Sequence, residues 1–383
     1  MTQRAATQRT PSSPPVIPGY SYVRPLGSGG FAEVYLYEQD MPHRVVAVKV
    51  LNGVGSTAQT RRGFEAEADV MARLSVHPSI VSIYQASISA DGRAYIAMEY
   101  CPDSMRSRMR SATPLTLEQV LDAGVRLAGA LETAHRSGVL HRDLKPSNVL
   151  VTTLGRPVLA DFGIAEVRGE VEPGAQIALS YPWAAPEVVQ TSTSGTIASE
   201  IWSLAATLYT FAAGRSPFES AERAQNVREK LAARITKAIY IGLPGGMGNG
   251  RLDDVLSRAL RKNPDERYSS MLELAEALRD LQREFGYDLT PLEVMSAEWA
   301  GALPSVNTDR QRGPVVSTVR STSRKTERAA LRAEHSRTDR SASLQRQDAR
   351  PMSPMTAMLI GIGGTVVVGG IITGIVMMLQ GAL

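Results

Sequence analysis

Four side chains gathered into one stretch constrain this chain more than anything else in it. Leu140-His141-Arg142-Asp143-Leu144-Lys145-Pro146-Ser147-Asn148-Val149-Leu150 is followed by Ala160-Asp161-Phe162-Gly163. Any one of Asp143, Lys145, Asn148 and Asp161 is accounted for as a turn former or as part of a solvated loop, with Pro146 fixing a turn. Together they supply a carboxylate able to accept a proton from an attacking hydroxyl (Asp143), an ammonium able to neutralise a phosphoryl oxygen (Lys145), and two oxygen ligands of the kind Mg²⁺ takes (Asn148, Asp161). A structural loop has no need of all four in this order and spacing.

Two segments upstream fit the same chemistry. Leu26-Gly27-Ser28-Gly29-Gly30-Phe31-Ala32-Glu33-Val34 reads as a hairpin whose glycines let the backbone approach phosphate oxygens closely. It opens no helix, which argues against both a dinucleotide fingerprint and a Walker loop. Alone it is more often just a turn. Val45 to Leu51 is an apolar strand interrupted by one lysine, and alternation puts Ala47 and Lys49 on one face. Burying an ammonium requires an anionic partner; the alternative is a lysine snorkelling from an edge strand. A candidate partner is Glu67, which shares a helical stripe with Phe64, Met71 and Leu74, whereas Glu65 and Asp69 point elsewhere.

Composition and charge bound the rest. At 383 residues, 43% apolar and 21% charged, the chain can bury a sizeable core. Its single cysteine, Cys101, excludes an intramolecular disulfide framework and a cysteine-rich zinc site, and points to a reducing compartment. Residues 1–19, with Pro11, Pro14, Pro15 and Pro18 among Ser, Thr and Gln, read as a disordered leader with no secretory signal. Between Ser305 and Arg350, 11 Lys and Arg stand against 5 Asp and Glu, while the remaining chain carries 31 against 33. The basic charge therefore belongs to a solvated Ser/Arg-rich tether over 305–354 and gives no ground for a nucleic-acid partner. Residues 355–379, roughly 25 apolar, small or weakly polar residues with no charge, suffice for one transmembrane helix. The basic residues before it predict a single-pass plasma-membrane protein with residues 1–350 cytoplasmic and a short outer tail at 380–383, too short for an extracytoplasmic sensor. A buried core helix is the weaker alternative. Gly370 and Gly374, four apart, would let two such helices pair as a homodimer, and the tether's arginines could meet anionic lipid.

These motifs resemble those of the eukaryotic-type (Hanks-type) protein kinases, particularly bacterial membrane-anchored serine/threonine kinases, over residues 20–285. Ala185-Pro186-Glu187, Trp202 within Ile201-Trp202-Ser203-Leu204, and Arg267 extend the resemblance. It implies an α+β, bilobal fold with a β-rich N-lobe (20–100) and an α-helical C-lobe (101–285), followed by an extension at 286–304. It implies ATP and Mg²⁺ as cofactors. Leu26, Gly27, Ser28, Gly29, Gly30, Val34 and Ala47 would line the nucleotide site, with Met98 as gatekeeper and Glu99, Tyr100 and Cys101 as the adenine-binding hinge. Lys49 would hold the α- and β-phosphates and pair with Glu67, Asn148 and Asp161 would bind the metal, and Asp143 would act as base beside Lys145. Lys145 further implies Ser/Thr acceptors on protein substrates, and Glu187 and Arg267 should form an ion pair.

The chain departs from the family pattern in three places. Ala32 stands where a third loop glycine is usual, and Glu200 replaces the aspartate that normally starts the Asp-x-Trp-Ser helix, so its extra methylene has to be absorbed by a local shift that could slow the enzyme. The segment 164–184 holds no threonine; Ser180 and Tyr181 are its phosphorylatable hydroxyls, and Glu166, Glu170 or Glu172 would give Arg142 a permanent anionic neighbour unless they are merely solvated loop acids. The runner-up reading is a nucleotide-binding pseudokinase scaffold. A small-molecule kinase is disfavoured by Ala185-Pro186-Glu187 and Arg267.

Overall fold

The computed structural model describes residues 13–28, 32–51, 58–110, 115–162 and 180–295, all within the first of two units, 1–305 and 306–383. Of the residues singled out above, residues 1–12 of the leader, Gly29, Gly30, Phe31, Gly163, Glu166, Glu170, Glu172, residues 296–304 of the extension, the tether, residues 355–379 and the tail at 380–383 lie outside that set, as does the side chain of Glu67. Among the described residues no helix is long and apolar enough to cross a membrane.

The first hundred residues build an antiparallel sheet. β1 (Tyr20–Ser28), β2 (Ala32–Gln39), β3 (Arg44–Leu51), β4 (Ile83–Ile88) and β5 (Ala94–Glu99) pair in the order β1-β2-β3-β5-β4. Alternation sorts their side chains into two faces. Tyr35, Tyr37, Val46, Val48, Val50, Tyr95 and Ala97 form one small core. The opposite face carries Ala47 and Lys49, placed by register beside Met98 and Ile96 respectively. On that side α1 (Ala58–Leu74) packs, with Phe64 buried against Ile96.

Residues 13–19, expected to belong to a disordered leader, are instead part of this lobe. Ile17 is 2% exposed and completes the outer core, the Tyr37 hydroxyl donates to the Pro15 carbonyl at 2.6 Å, and Arg93 donates to the Ser13 carbonyl. Polar composition concealed one well-placed apolar anchor, and prolines that cannot extend a sheet can still lie across one.

The second lobe is helical. A small sheet of β6 (Asp103–Ser104), β7 (Val149–Val151) and β8 (Pro157–Leu159) and the helices α2 (Met105–Arg108), α3 (Leu117–Arg136), α4 (Pro186–Val189), α5 (Ile197–Ala213), α6 (Arg228–Lys237), α7 (Arg251–Ala259) and α8 (Met271–Glu284) share one large core. α3 and α5 form its axis. Each starts on a capping box, Thr116 with Gln119 and Thr196 with Ser199, in which side chain and backbone exchange hydrogen bonds. α5 stops at Gly214, whose φ of 73° suits a residue without a Cβ. Trp202, fully buried on α5, stacks on Phe218 with ring centroids 5.2 Å apart. The lobes are joined by the chain after Glu99 and by a parallel bridge between Ile80 and Leu159.

Candidate active site

The loop after α3 is held in a strained form. Arg142 and Asp161 have φ of 65° and 61°, a left-handed conformation costing a non-glycine residue about 1–2 kcal/mol. Surrounding bonds impose it. The Arg142 N–H donates to Glu200 Oε1 at 2.6 Å, the Ala160 N–H to the Asn148 carbonyl at 2.9 Å, and His141 Nε2–H to the Ala160 carbonyl at 3.0 Å. These last two bonds tie the segment carrying Asp143 and Asn148 to the one carrying Asp161. Burial holds the His141 imidazole below its ordinary pKa, against the pull of Glu200 and Asp143, which favours the neutral ring whose Nδ1 accepts from the Asp143 N–H at 3.4 Å.

The Asp143 carboxylate accepts three hydrogen bonds. Its Oδ2 accepts from Lys145 Nζ at 2.6 Å and Asn148 Nδ2 at 3.1 Å, and its Oδ1 accepts from the Ser180 hydroxyl at 2.6 Å. Lys145 Nζ also donates to Ser180 Oγ at 2.8 Å, closing a triangle of acid, ammonium and hydroxyl. A carboxylate has about four lone-pair sites, so these three donors leave one open to an incoming hydroxyl. Across the cleft Lys49 Nζ donates to Asp161 Oδ1 at 2.8 Å, with side-chain exposures of 23% and 46%. A pair this wet is worth about 0–1 kcal/mol, so arriving phosphates and metal could separate it at little cost. Asp161 is thus the described partner of Lys49; the pairing expected with Glu67 lies outside the described side chains.

The oxygen set fits a hard cation shared with phosphates. Asn148 spends its amide N–H groups on the Asp143 carbonyl and carboxylate, which leaves Oδ1, reached by Ser147 Oγ at 3.4 Å, as its ligand oxygen, and Asp161 adds a carboxylate. Among the described residues no three His, Cys, Asp or Glu side chains gather closely enough to hold a metal by themselves. Two protein oxygens completed by phosphate oxygens is the way Mg²⁺ is usually bound in phosphoryl-transfer sites. Val81, Val158 and Ala160, with Met98, Cys101 and Leu150 packed on them, form a small apolar cluster drawn from both lobes. Cys101 is inert there, since burial pushes its thiol up to about 12. Above it, Gly27 and Ser28 of β1 pair with Val34 and Glu33 of β2, and Leu26 is half-buried beside them.

Lys49, Asp143, Lys145, Asn148 and Asp161 therefore meet in one cleft. Farther out, Arg267 donates to both Glu187 oxygens at 2.7 and 2.9 Å, its own side chain fully buried. Two contacts are not foreseen from the sequence. Ser180, a phosphorylatable hydroxyl by sequence, is also a ligand of Asp143; its position five residues before Ala185 is the available signal. His135 gives none, yet its Nε2–H donates to Glu200 Oε2 at 2.6 Å. The Glu200 carboxylate therefore spans two donors, and its added methylene is absorbed by reaching His135 without giving up the Arg142 amide.

A bilobal fold with an oxygen-lined cleft and a caged acid defines the class: the chain belongs to the protein kinase family, whose domain model matches residues 20–280. More narrowly, it carries a Hanks-type serine/threonine kinase domain with bacterial homologues. It is 38% identical over 283 residues to the serine/threonine-protein kinase PknK of Mycobacterium tuberculosis, covering 72% of this chain and 25% of that one. It is 34% identical over 270 residues to PknD of the same species, covering 68% and 39%. The crystal structure of the M. tuberculosis PknI kinase domain superposes with a TM-score of 0.50 at 32% identity, covering 70% of this chain and 97% of that one. The chain thus matches about a quarter of the length of PknK and two fifths of that of PknD.

Proposed function

We propose that this chain is an ATP- and Mg²⁺-dependent protein kinase that transfers a phosphoryl group to Ser and Thr hydroxyls of protein substrates, in signalling at a membrane. The observation that carries the reading is the Asp143 carboxylate caged by Lys145, Asn148 and Ser180 beside the Lys49–Asp161 pair. Asp143 accepts the proton of the attacking hydroxyl, while Lys145, already bonded to it, stands ready to neutralise charge on the transferred group. Lys49 leaves Asp161 for nucleotide phosphate. Asp161 and Asn148 would hold the metal, which would draw charge from the phosphate oxygens. The caged base counts against a scaffold without catalysis, since a nucleotide-binding surface alone has no use for it.

The buried Arg142 Nε has no hydrogen-bond partner among the described residues, which supports an anionic neighbour supplied by residues 163–179, either a glutamate or a phosphate. The membrane part of the proposal rests on the uncharged run 355–379 behind the basic tether, with Gly370 and Gly374 as the face on which two helices pair.

One experiment separates the parts. Membranes containing the full-length chain are washed at alkaline pH and incubated with labelled ATP, Mg²⁺ and a generic basic protein. Incorporation into Ser and Thr should stay with the pellet and fall at least a hundredfold in Lys49→Ala and Asp143→Asn. Undiminished incorporation in those variants sinks the kinase reading; activity released entirely into the wash sinks the membrane reading. Cross-linking of the same membranes should give a dimer that Gly370→Ile removes.

A further inference from the structure

The family match ends at residue 280, yet the chain beyond it does not leave the domain. After α8 it turns at Gly286 and runs back across α3 toward the first lobe. Thr290, 4% exposed, is fixed by three bonds: its N–H donates to Gln282 Oε1, its hydroxyl accepts from Gln282 Nε2 at 2.8 Å, and it donates to Asp122 Oδ1 at 2.9 Å. Leu292 packs on the large core. The Met295 N–H donates to Thr133 Oγ1 at 3.1 Å. Glu293 crosses α3 so closely at Gly129 that a Cβ there would stand 2.4 Å from its carbonyl oxygen. A glycine in the middle of a helix is unfavourable by itself, and here its place is explained by the chain lying on it.

That same Glu293 carbonyl accepts from His77 Nε2–H at 2.9 Å, and the Glu293 carboxylate lies 3.5 Å from Arg156. His77, 2% exposed, sits in the turn that ends α1: its N–H donates to the Leu74 carbonyl and its carbonyl accepts from Ile80. Its Nδ1 accepts from the Ser79 N–H at 3.0 Å, and the Ser79 carbonyl accepts from Leu159 N–H at 2.9 Å, two residues before Asp161. One imidazole therefore joins the returning chain to the end of α1 and to the strand that delivers Asp161.

We propose that residues 287–295 form a strap that positions the phosphoryl-transfer site, with His77 as its contact: held by Glu293, His77 fixes the end of α1 and the approach to Asp161. The effect on turnover rests on the kinase reading above; the effect on structure does not. His77 and the strap touch neither substrate nor metal, so they are positioning residues.

The test uses the full-length chain and two variants. His77→Asn keeps an acceptor near the Ser79 N–H and loses the donor to Glu293. Gly129→Ala drives a methyl into the strap while favouring α3 itself, so any loss it causes comes from the strap. Amide hydrogen exchange should rise at least tenfold at 68–81 and 157–161 in both, with the rest of the domain within twofold. Turnover should fall at least fivefold, with the KM for protein substrate within twofold. Exchange unchanged in those segments, or raised evenly over the whole domain, overturns the proposal. If Gly129→Ala fails to fold, His77→Asn decides alone. An inactive wild type refutes the kinase reading and leaves the exchange result to decide on the strap.

Discussion

Glu200 shows how a departure from the family's residue is absorbed by one neighbour. A carboxylate at this position has to receive the Arg142 amide, because that bond holds the left-handed turn from which Asp143 projects. Glutamate does so and sends its second oxygen to His135, both side chains being 3–4% exposed. The expectation of a slowed enzyme assumes that the methylene disturbs the loop, whereas the loop bond is kept at 2.6 Å. Restoring the usual aspartate should therefore harm this chain. With the shorter side chain one of two buried donors loses its acceptor, at about 1–3 kcal/mol. Glu200→Asp should lower the melting temperature by about 2–4 °C per kcal/mol lost, given a domain of this size. If the orphaned donor is the Arg142 amide, turnover falls as well; if it is His135, only stability does. A Glu200→Asp variant melting at the same temperature as the parent would show that the second oxygen contributes nothing.

At the level of elements, the N-terminal segment and the sheet it covers are one unit. Ile17 is buried among Tyr35, Tyr37, Val46, Val48, Val50, Tyr95 and Ala97, and Tyr37 and Arg93 hold the backbone on the N-terminal side of it. Truncating a buried isoleucine to alanine typically costs about 2–5 kcal/mol. Ile17→Ala should accordingly destabilise the first lobe by about that much in urea unfolding, while Val16→Ala, at a side chain 75% exposed, should change nothing measurable. Equal effects of the two would mean that the segment does not pack as described. The contrast with the rest of the fold is physical. Ala47 and Lys49 were legible because strand alternation repeats every second residue, and Phe64, Met71 and Leu74 because a helix repeats every 3.6. The triangle around Asp143 was legible because its members lie close in sequence, except Ser180, which comes from 37 residues away. The N-terminal segment and the strap lack any repeat: each is anchored by isolated contacts, Ile17 in one and Thr290 and Glu293 in the other, and their partners are far along the chain.

Over the whole molecule, the two histidines that join its parts make it sensitive to mild acid. His77 links the strap to the end of α1, and His141 links the loop that carries Asp143 to the Asp161 strand. Burial lowers both below the ordinary 6.5; the Glu293 carbonyl and carboxylate oppose it at His77 while Arg156 assists, and Glu200, Asp143 and Asp161 oppose it at His141. A group whose folded pKa is depressed binds its proton more readily in the unfolded chain. Its contribution to stability is therefore full above about 6.5 and is lost as pH falls from there toward the folded value. Each histidine can add a slope of up to about 1.4 kcal/mol per pH unit in that window, so the pair can add about 2.7. Asp91 and Glu273, whose carboxyls are held below their ordinary values by hydrogen bonds from the Arg93 side chain and the Ser269 amide respectively, act only at lower pH, since their loss begins near the ordinary carboxylate range of about 4. Urea midpoints should thus be level from about pH 8 to 7 and drop between about 6.5 and 5. His77→Asn should start from a lower midpoint and show about half the slope, because one of the two titrating groups is gone while His141 remains. A midpoint flat down to about pH 5, or a slope unaltered by His77→Asn, would mean that these imidazoles are as easily protonated in the folded protein as in the unfolded chain, and that the joints they form open without disturbing the rest of the domain.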